Sequence, residues 1–241
     1  MTDRTPKGPP YYDQAYSAVR EYQGHYKQSH FYVLWTQIVQ IVKRFPSPRI
    51  LEIGCGTGQL AHYLYDEGYR DYHGFDFSPV AVDLARKAVP MPFCVGDATA
   101  PDSYGFDYIL AIAVEVLEHV ADDLAVLGRL KEQTPVIFSV PTRDDPAHVR
   151  VFQSVGDIVC RYYTHIAFRD IIPIGQWFVC HGVISRFAPG PWNRLFRTRR
   201  RVDWKYVLRR VRRMLRRPRL SATCTLSDSA AEDRGGGISH E

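Results

Sequence analysis

The sequence predicts an α/β fold: a mostly parallel sheet with helices on both faces and an antiparallel last strand. Three observations carry this expectation. From Arg49 to Val140, short apolar runs alternate with helix-patterned stretches at the pitch of βαβ units. A cluster of glycines, "GCGTG" at Gly54–Gly58, separates the first apolar run from the first such helix. Beyond Pro141 two apolar runs meet across Pro173–Gly175, as an antiparallel pair would.

Each element has its own signals. The first ten residues carry prolines and a lysine and are expected to fray. Tyr12 to Phe45 reads as a tyrosine-rich helical region, stopped by the two prolines of "FPSPR". "RILEI" is the first strand, and "GQLAHYLYDEG" a helix closed by Gly68. "YHGFDF" is the second strand. "SPVAVDLARKAV" follows as a helix with Ser78 at its N-cap and Pro79 in its first turn. "PFCV" and "FDYILAIAV" are strands three and four, "DDLAVLGRLKEQ" a helix, and "PVIFSV" strand five. "TRDDPAHVRVF" reads as a loop and "QSVGDIVCRYY" as a helix, before the last two strands in "HIAFRDIIPIGQWFVCHGVISRF". The organisation expected is an N-terminal helical lid region over 1–48, a core over 49–193, a basic amphipathic helix over 194–219 and a disordered tail over 220–241.

Composition bounds the class. A chain of 241 residues suits one domain with an appendage. It has no run of about 18 apolar residues to span a bilayer. Its start, "MTDRTPKGPPYYDQAY", has no signal-peptide core. The five cysteines (Cys55, Cys94, Cys160, Cys180 and Cys224) are scattered without CxxC spacing, which argues against disulfides and zinc and for a reducing, cytoplasmic setting. The net charge of +5 is unevenly spread. Residues 1–193 hold 17 Lys+Arg against 21 Asp+Glu, residues 194–219 hold 13 against 1, and residues 220–241 hold 1 against 4.

The glycine loop points to a ligand lying on bare main chain. Its GxGxG spacing differs from the GxGxxG of dinucleotide folds, and Glu52 stands two residues ahead of it. An acid there would repel a pyrophosphate but suits an ammonium group. Asp76 ends the second strand, where a carboxylate can accept both ribose hydroxyls. Asp97 follows the third, where it can bond an adenine amine. Ammonium, ribose and adenine together describe S-adenosylmethionine (SAM).

"LEIGCGTGQL", "GFDFSPVAVDLAR", "FCVGDA" and "FDYILAIAVEVLEHV", in that order, resemble the successive motifs of class I SAM-dependent methyltransferases, over about Arg49 to Val140. The resemblance implies a seven-stranded Rossmann-like sheet with SAM over the carboxyl ends of strands one to four. It implies cofactor contacts at Glu52, Gly54, Gly56, Gly58, Asp76, Phe77, Asp97, Ala98 and Ala113. Phe77 would flank the adenosine and Ala113 the methionyl part.

SAM brings an activated methyl group, so the protein must hold a nucleophile in line and take its proton where needed. His119, after strand four, and His148, after strand five, are the candidate catalytic residues; both leave the carboxyl edge of the sheet. Arg150 shares the second loop. The order Glu115-x-x-Glu118-His119, with His148, also resembles the metal motif of small-RNA 3′-terminal 2′-O-methyltransferases. The same "EVLEH" run is common in class I members that bind no metal, and no metal is assigned. In the N-terminal region, Tyr22, Tyr26 and their neighbours either close as a lid or pack an aromatic stripe on the sheet. Both readings stay open.

In 194–219, Trp204, Val207, Leu208, Val211, Met214 and Leu215 fall at helical spacing among arginines. That pattern suits a helix docked on the core with a solvated basic face, then an anionic membrane surface, and then nucleic acid or another anionic partner. The expected function is methyl transfer to a hydroxyl, or similar nucleophile, of a small or lipid-linked molecule such as a saccharide or secondary metabolite. The expected setting is cytoplasmic and peripheral to a membrane. The rivals are an RNA 2′-O-methyltransferase using a divalent metal and a non-catalytic SAM-binding protein.

Overall fold

The computed structural model describes residues 5–185. The basic helix expected over 194–219 and the tail over 220–241 lie outside the described residues. Seven strands form one sheet: β1 (Ile50–Ile53), β2 (Tyr72–Asp76), β3 (Phe93–Val95), β4 (Leu110–Ala113), β5 (Pro135–Pro141), β6 (Ile166–Ile174) and β7 (Trp177–Ile184). Their order is β3-β2-β1-β4-β5-β7-β6. Pairings among β1 to β5 are parallel, and β7 runs antiparallel to both β5 and β6.

Alternation along the strands builds two cores. Ile50, Leu110 and Ile112 face one apolar layer with α2 (Tyr32–Val42), α3 (Gln59–Asp66) and α4 (Pro79–Ala88). Leu51, Ile53, Ala111 and Ala113 face the other, with α5 (Asp123–Arg129) and α6 (Val155–Tyr162). Both faces of the parallel strands are therefore covered, which explains their near-continuous apolar runs. The expected caps form: Ser78 accepts from the Ala81 amide ahead of Pro79, and Ser154 caps α6.

The helical region expected over Tyr12–Phe45 is made of several short pieces. A first helix, α1 (Pro9–Ala18), has prolines in its first turn, so part of the stretch expected to fray is ordered. Two 3-10 turns, Arg20–Gln23 and Tyr26–Gln28, separate it from α2. The reason is local. Gly24 and Ser29 take extended backbone, and the carbonyls of Glu21 and Gly24 are drawn off to Gln59. The two readings of this region divide between its parts. α2 packs its apolar face on the sheet, whereas α1 lies against the loops at the sheet's carboxyl edge.

Candidate active site

The parallel order β3-β2-β1-β4 places the ends of four strands side by side, and the chain reverses direction across the sheet between β1 and β4. In open α/β sheets that switch point is where ligands bind. Gly54, Gly56 and Gly58 all hold positive φ, 66°, 51° and 77°. Two of them answer to the protein's own packing. A Cβ at Gly54 would lie 2.4 Å from Val116 Cγ2, and one at Gly58 would lie 2.9 Å from Ala85 Cβ. At Gly56 a Cβ would meet only the Tyr16 ring of α1, at 3.6 Å and beyond. Gly56 is thus the glycine that keeps main chain bare toward the covering segment.

Two acids lie under and beside this loop. Asp76 is buried and accepts from the Gly56 and Ser78 amides, both at 2.9 Å. Burial raises its pKa, against the lowering effect of those amides. Glu52 is held beneath the loop, accepting a 2.5 Å hydrogen bond from the Tyr72 hydroxyl. Burial pushes its pKa up to about 8, with Asp76 adding to the rise. Gly74 makes this pair fit, because a Cβ there would sit 2.5 Å from the Tyr72 hydroxyl. Asp97 is exposed and accepts from the amide and hydroxyl of Thr99, while the carbonyl of Ala98 accepts from Tyr104. Ala113, buried, ends β4.

The segment before β1 roofs this edge. The Tyr12 ring lies 5.1 Å from Phe77 and 5.7 Å from His119, and its hydroxyl is buried without a hydrogen-bond partner. Asp13 accepts from the Ser78 hydroxyl, and the Tyr22 carbonyl accepts from Thr57. Tyr22 contacts Tyr16 at 5.3 Å, so it belongs to the roof. Tyr26 does not: it stacks on Tyr63 at 4.7 Å and bonds Asp66, a packing role. Tyr12 and Tyr16 were not singled out from the sequence. The available signal was "PPYYDQAY", a proline-started helix with tyrosines four apart.

The candidate catalytic residues come together. The His119 and His148 rings are 4.9 Å apart. His119 Nδ1 faces the Ala147 carbonyl at 3.1 Å, which fixes the proton on Nδ1 and leaves Nε2 toward Glu118 at 3.9 Å. Burial lowers the His119 pKa to about 4, so the ring is neutral near neutral pH. Arg150 fastens the two loops: its guanidinium donates to the carbonyls of Leu117, Val120 and Ala121 and pairs with buried Asp123 at 3.2 Å. It is a structural clamp, and the Val149 amide bond to the Glu118 carbonyl closes the same junction. Glu115, at φ 54°, accepts from Ser139 and Trp177. That strained backbone for a residue other than glycine lies next to the site, where such strain concentrates.

These residues fit SAM. Two buried acids lie under a loop with one bare stretch of main chain, and an aromatic roof carries an unsatisfied hydroxyl. When bound, SAM supplies the activated methyl group. Asp76 and the loop would hold its adenosine, Phe77 and Tyr12 would flank it, and the ends of β4 and β5 would face the methyl.

Doubly wound sheet, switch-point loop and paired acids together define a nucleoside-cofactor transferase. The chain belongs to the class I SAM-dependent methyltransferases: the family model described as a methyltransferase domain matches residues 26–199. Similar solved structures include a Pyrococcus horikoshii protein (TM-score 0.58, 15% identity, 71% of this chain and 99% of that one). Another is the magnesium protoporphyrin IX methyltransferase of Synechocystis with bound S-adenosylhomocysteine (TM-score 0.56, 16% identity, 73% of this chain and 97% of that one). At these identities the likeness concerns the fold. Among curated proteins, an eEF1A lysine and N-terminal methyltransferase homolog of Drosophila melanogaster is 43% identical over 72 residues. That match spans 28% of this chain and 10% of the fly protein's length.

Proposed function

We propose that this enzyme methylates a hydroxyl, or similar nucleophile, of a small or lipid-linked molecule, a saccharide or secondary metabolite being the class. The observation that carries the reading is the enclosed pair of imidazoles, His119 and His148, under Tyr12 at the ends of β4 and β5. A roof tied down at Ser78, Thr57 and Gln59 covers the site in this reading and favours a small group over a folded polymer. In this reading Glu52, Asp76, Phe77, Asp97 and the glycine loop serve SAM, and His119 and His148 face the acceptor. The basic segment 194–219 would hold the enzyme at an anionic membrane, near lipid-linked acceptors, with nucleic acid the less favoured partner.

The local likeness to an eEF1A lysine and N-terminal methyltransferase favours a second acceptor class, a protein amine. One experiment separates the two. Cells lacking the protein are profiled for methylated metabolites and lipids, and separately for methylated lysines and protein N-termini. Loss of a methyl ether is the expected outcome. Loss confined to a protein amine would replace the hydroxyl reading.

A further inference from the structure

We propose that the Tyr12 hydroxyl sets acceptor specificity by donating a hydrogen bond to the oxygen that is to be methylated. The fold leaves this one phenol at the site without a partner: its oxygen is buried, and nothing among the described residues bonds it. An unmet polar group inside a protein is costly, and buried tyrosine hydroxyls ordinarily find a partner. The acids around it are engaged elsewhere. Glu118 is hydrogen-bonded to Glu115. Asp145 accepts from the Ala147 amide at 2.8 Å, and Asp76 from the Gly56 and Ser78 amides.

Two tyrosines one turn apart on α1 divide the site between them. Tyr16 stands over the glycine loop, its hydroxyl 3.6 Å from where a Cβ on Gly56 would lie, and Asp76 is the acid it faces. That is the cofactor half. The Tyr12 ring lies 5.1 Å from Phe77 and meets the His119 ring edge-on at 5.7 Å. Its hydroxyl feels Glu118 and Asp145, on the loops after β4 and β5, more strongly than it feels Asp76. The ring therefore adjoins the cofactor half while the hydroxyl reaches toward the acceptor half. Burial, with Glu118 adding to it, lifts this phenol well above its ordinary range, so it keeps its proton and acts as a donor.

A donor and an acceptor thus meet at one end of the site. His119 holds its proton on Nδ1, against the Ala147 carbonyl at 3.1 Å, and offers a lone pair on Nε2. A hydroxyl answers both groups. Its oxygen has two lone pairs, one to accept from Tyr12 and one to take the methyl, and its proton can turn to His119 Nε2. An amine nitrogen has a single lone pair, which cannot accept from Tyr12 and attack at once. Tyr12 would in this way select oxygen over nitrogen, a role that rests on the hydroxyl reading.

The test compares the full chain with Tyr12→Phe, which keeps the ring on Phe77 and removes only the oxygen. Three quantities are read: the melting temperature without ligand, SAM affinity by calorimetry, and transfer of a tritiated methyl from SAM into an extract of cells lacking the protein. Because the hydroxyl has no partner in the free protein, the variant should melt no lower than the parent. SAM affinity should stay within about twofold, while transfer at limiting extract should fall about tenfold or more. A lower melting temperature would mean that the hydroxyl is bonded within the protein, and SAM affinity falling along with transfer would mean that it serves the cofactor. Either result overturns the proposal, as does unchanged transfer. Mass spectrometry of the parent's labelled product judges the hydroxyl reading separately. A methyl ether whose formation ignores Tyr12→Phe removes this role and keeps the reading, whereas a methylated amine removes both.

Discussion

Two acids under one loop show what a residue can and cannot declare from sequence. Asp76 was legible because it ends a strand, and the structure places it against the Gly56 and Ser78 amides. Glu52 was legible as an acid near the loop, but its burial beneath it, and the Tyr72 and Gly74 that make room for it, depend on cross-strand packing. The glycines were read as ligand-facing, yet Gly54 and Gly58 are fixed by Val116 and Ala85, neighbours remote in sequence. Asp76→Asn should weaken SAM binding by about 1.5–3 kcal/mol, the worth of a hydrogen bond to a charged group. Calorimetry on the folded variant checks this, and an unchanged affinity would place the ribose elsewhere. Glu52 supplies a pH test. Its folded-state pKa of about 8 lies above its ordinary 4.5, so the stability it contributes is present at low pH and lost as pH rises toward 8. A cationic cofactor favours the ionised form. SAM affinity should therefore climb with pH to about 8 and then level off, with proton release on binding at neutral pH. Calorimetry in two buffers of different ionisation enthalpy measures that release. A Glu52→Gln variant that keeps the same pH slope would show that another group is responsible.

At the scale of elements, short apolar runs located the strands, buried on both faces, and periodicity located the helices α3 to α6, because each helix has an apolar face matched to one side of the sheet. The N-terminal region was harder. Its tyrosines serve two surfaces, and no period distinguishes a ring that packs on Tyr63 from one that roofs a ligand. The junction between the β4 and β5 loops was also unreadable, since Arg150 is held by carbonyls, which carry no sequence signature. Arg150→Ala should cost about 3–5 kcal/mol, the penalty for breaking a buried ion pair, partly offset because Arg161 also pairs with Asp123. Thermal denaturation with and without SAM checks it. A melting temperature unchanged from that of the parent would show that the clamp contributes nothing. The roof supplies a second expectation at this scale. Removing residues 1–24 should leave the sheet folded, because α1 contributes no buried residue, but should speed SAM release in stopped-flow measurements. Equal release rates would mean that the roof does not retain the cofactor.

At the scale of the molecule, charge divides the chain. The 193 residues that include the sheet carry more acid than base, and the 26 that follow hold 13 Lys+Arg against one acid. Among the described residues no helix is long and apolar enough to cross a membrane. The proposed anchor combines two terms. Each basic residue near an anionic leaflet contributes about 1 kcal/mol, screened by salt. The stripe from Trp204 to Leu215 adds an apolar term that lipid can satisfy and RNA cannot. Deleting residues 194–241 should release the enzyme from anionic vesicles and leave SAM affinity intact, because the residues proposed for the cofactor all precede the deletion. Leu208→Gln with Val211→Gln keeps every charge and tests the stripe alone. Vesicle sedimentation should then fall while binding to RNA, which needs only the arginines, stays nearly unchanged. A double variant that loses thermal stability would instead mean that the stripe packs on the core. If the intact protein binds neither vesicles nor RNA at moderate salt, both partners fall together, and the positive charge needs a different explanation.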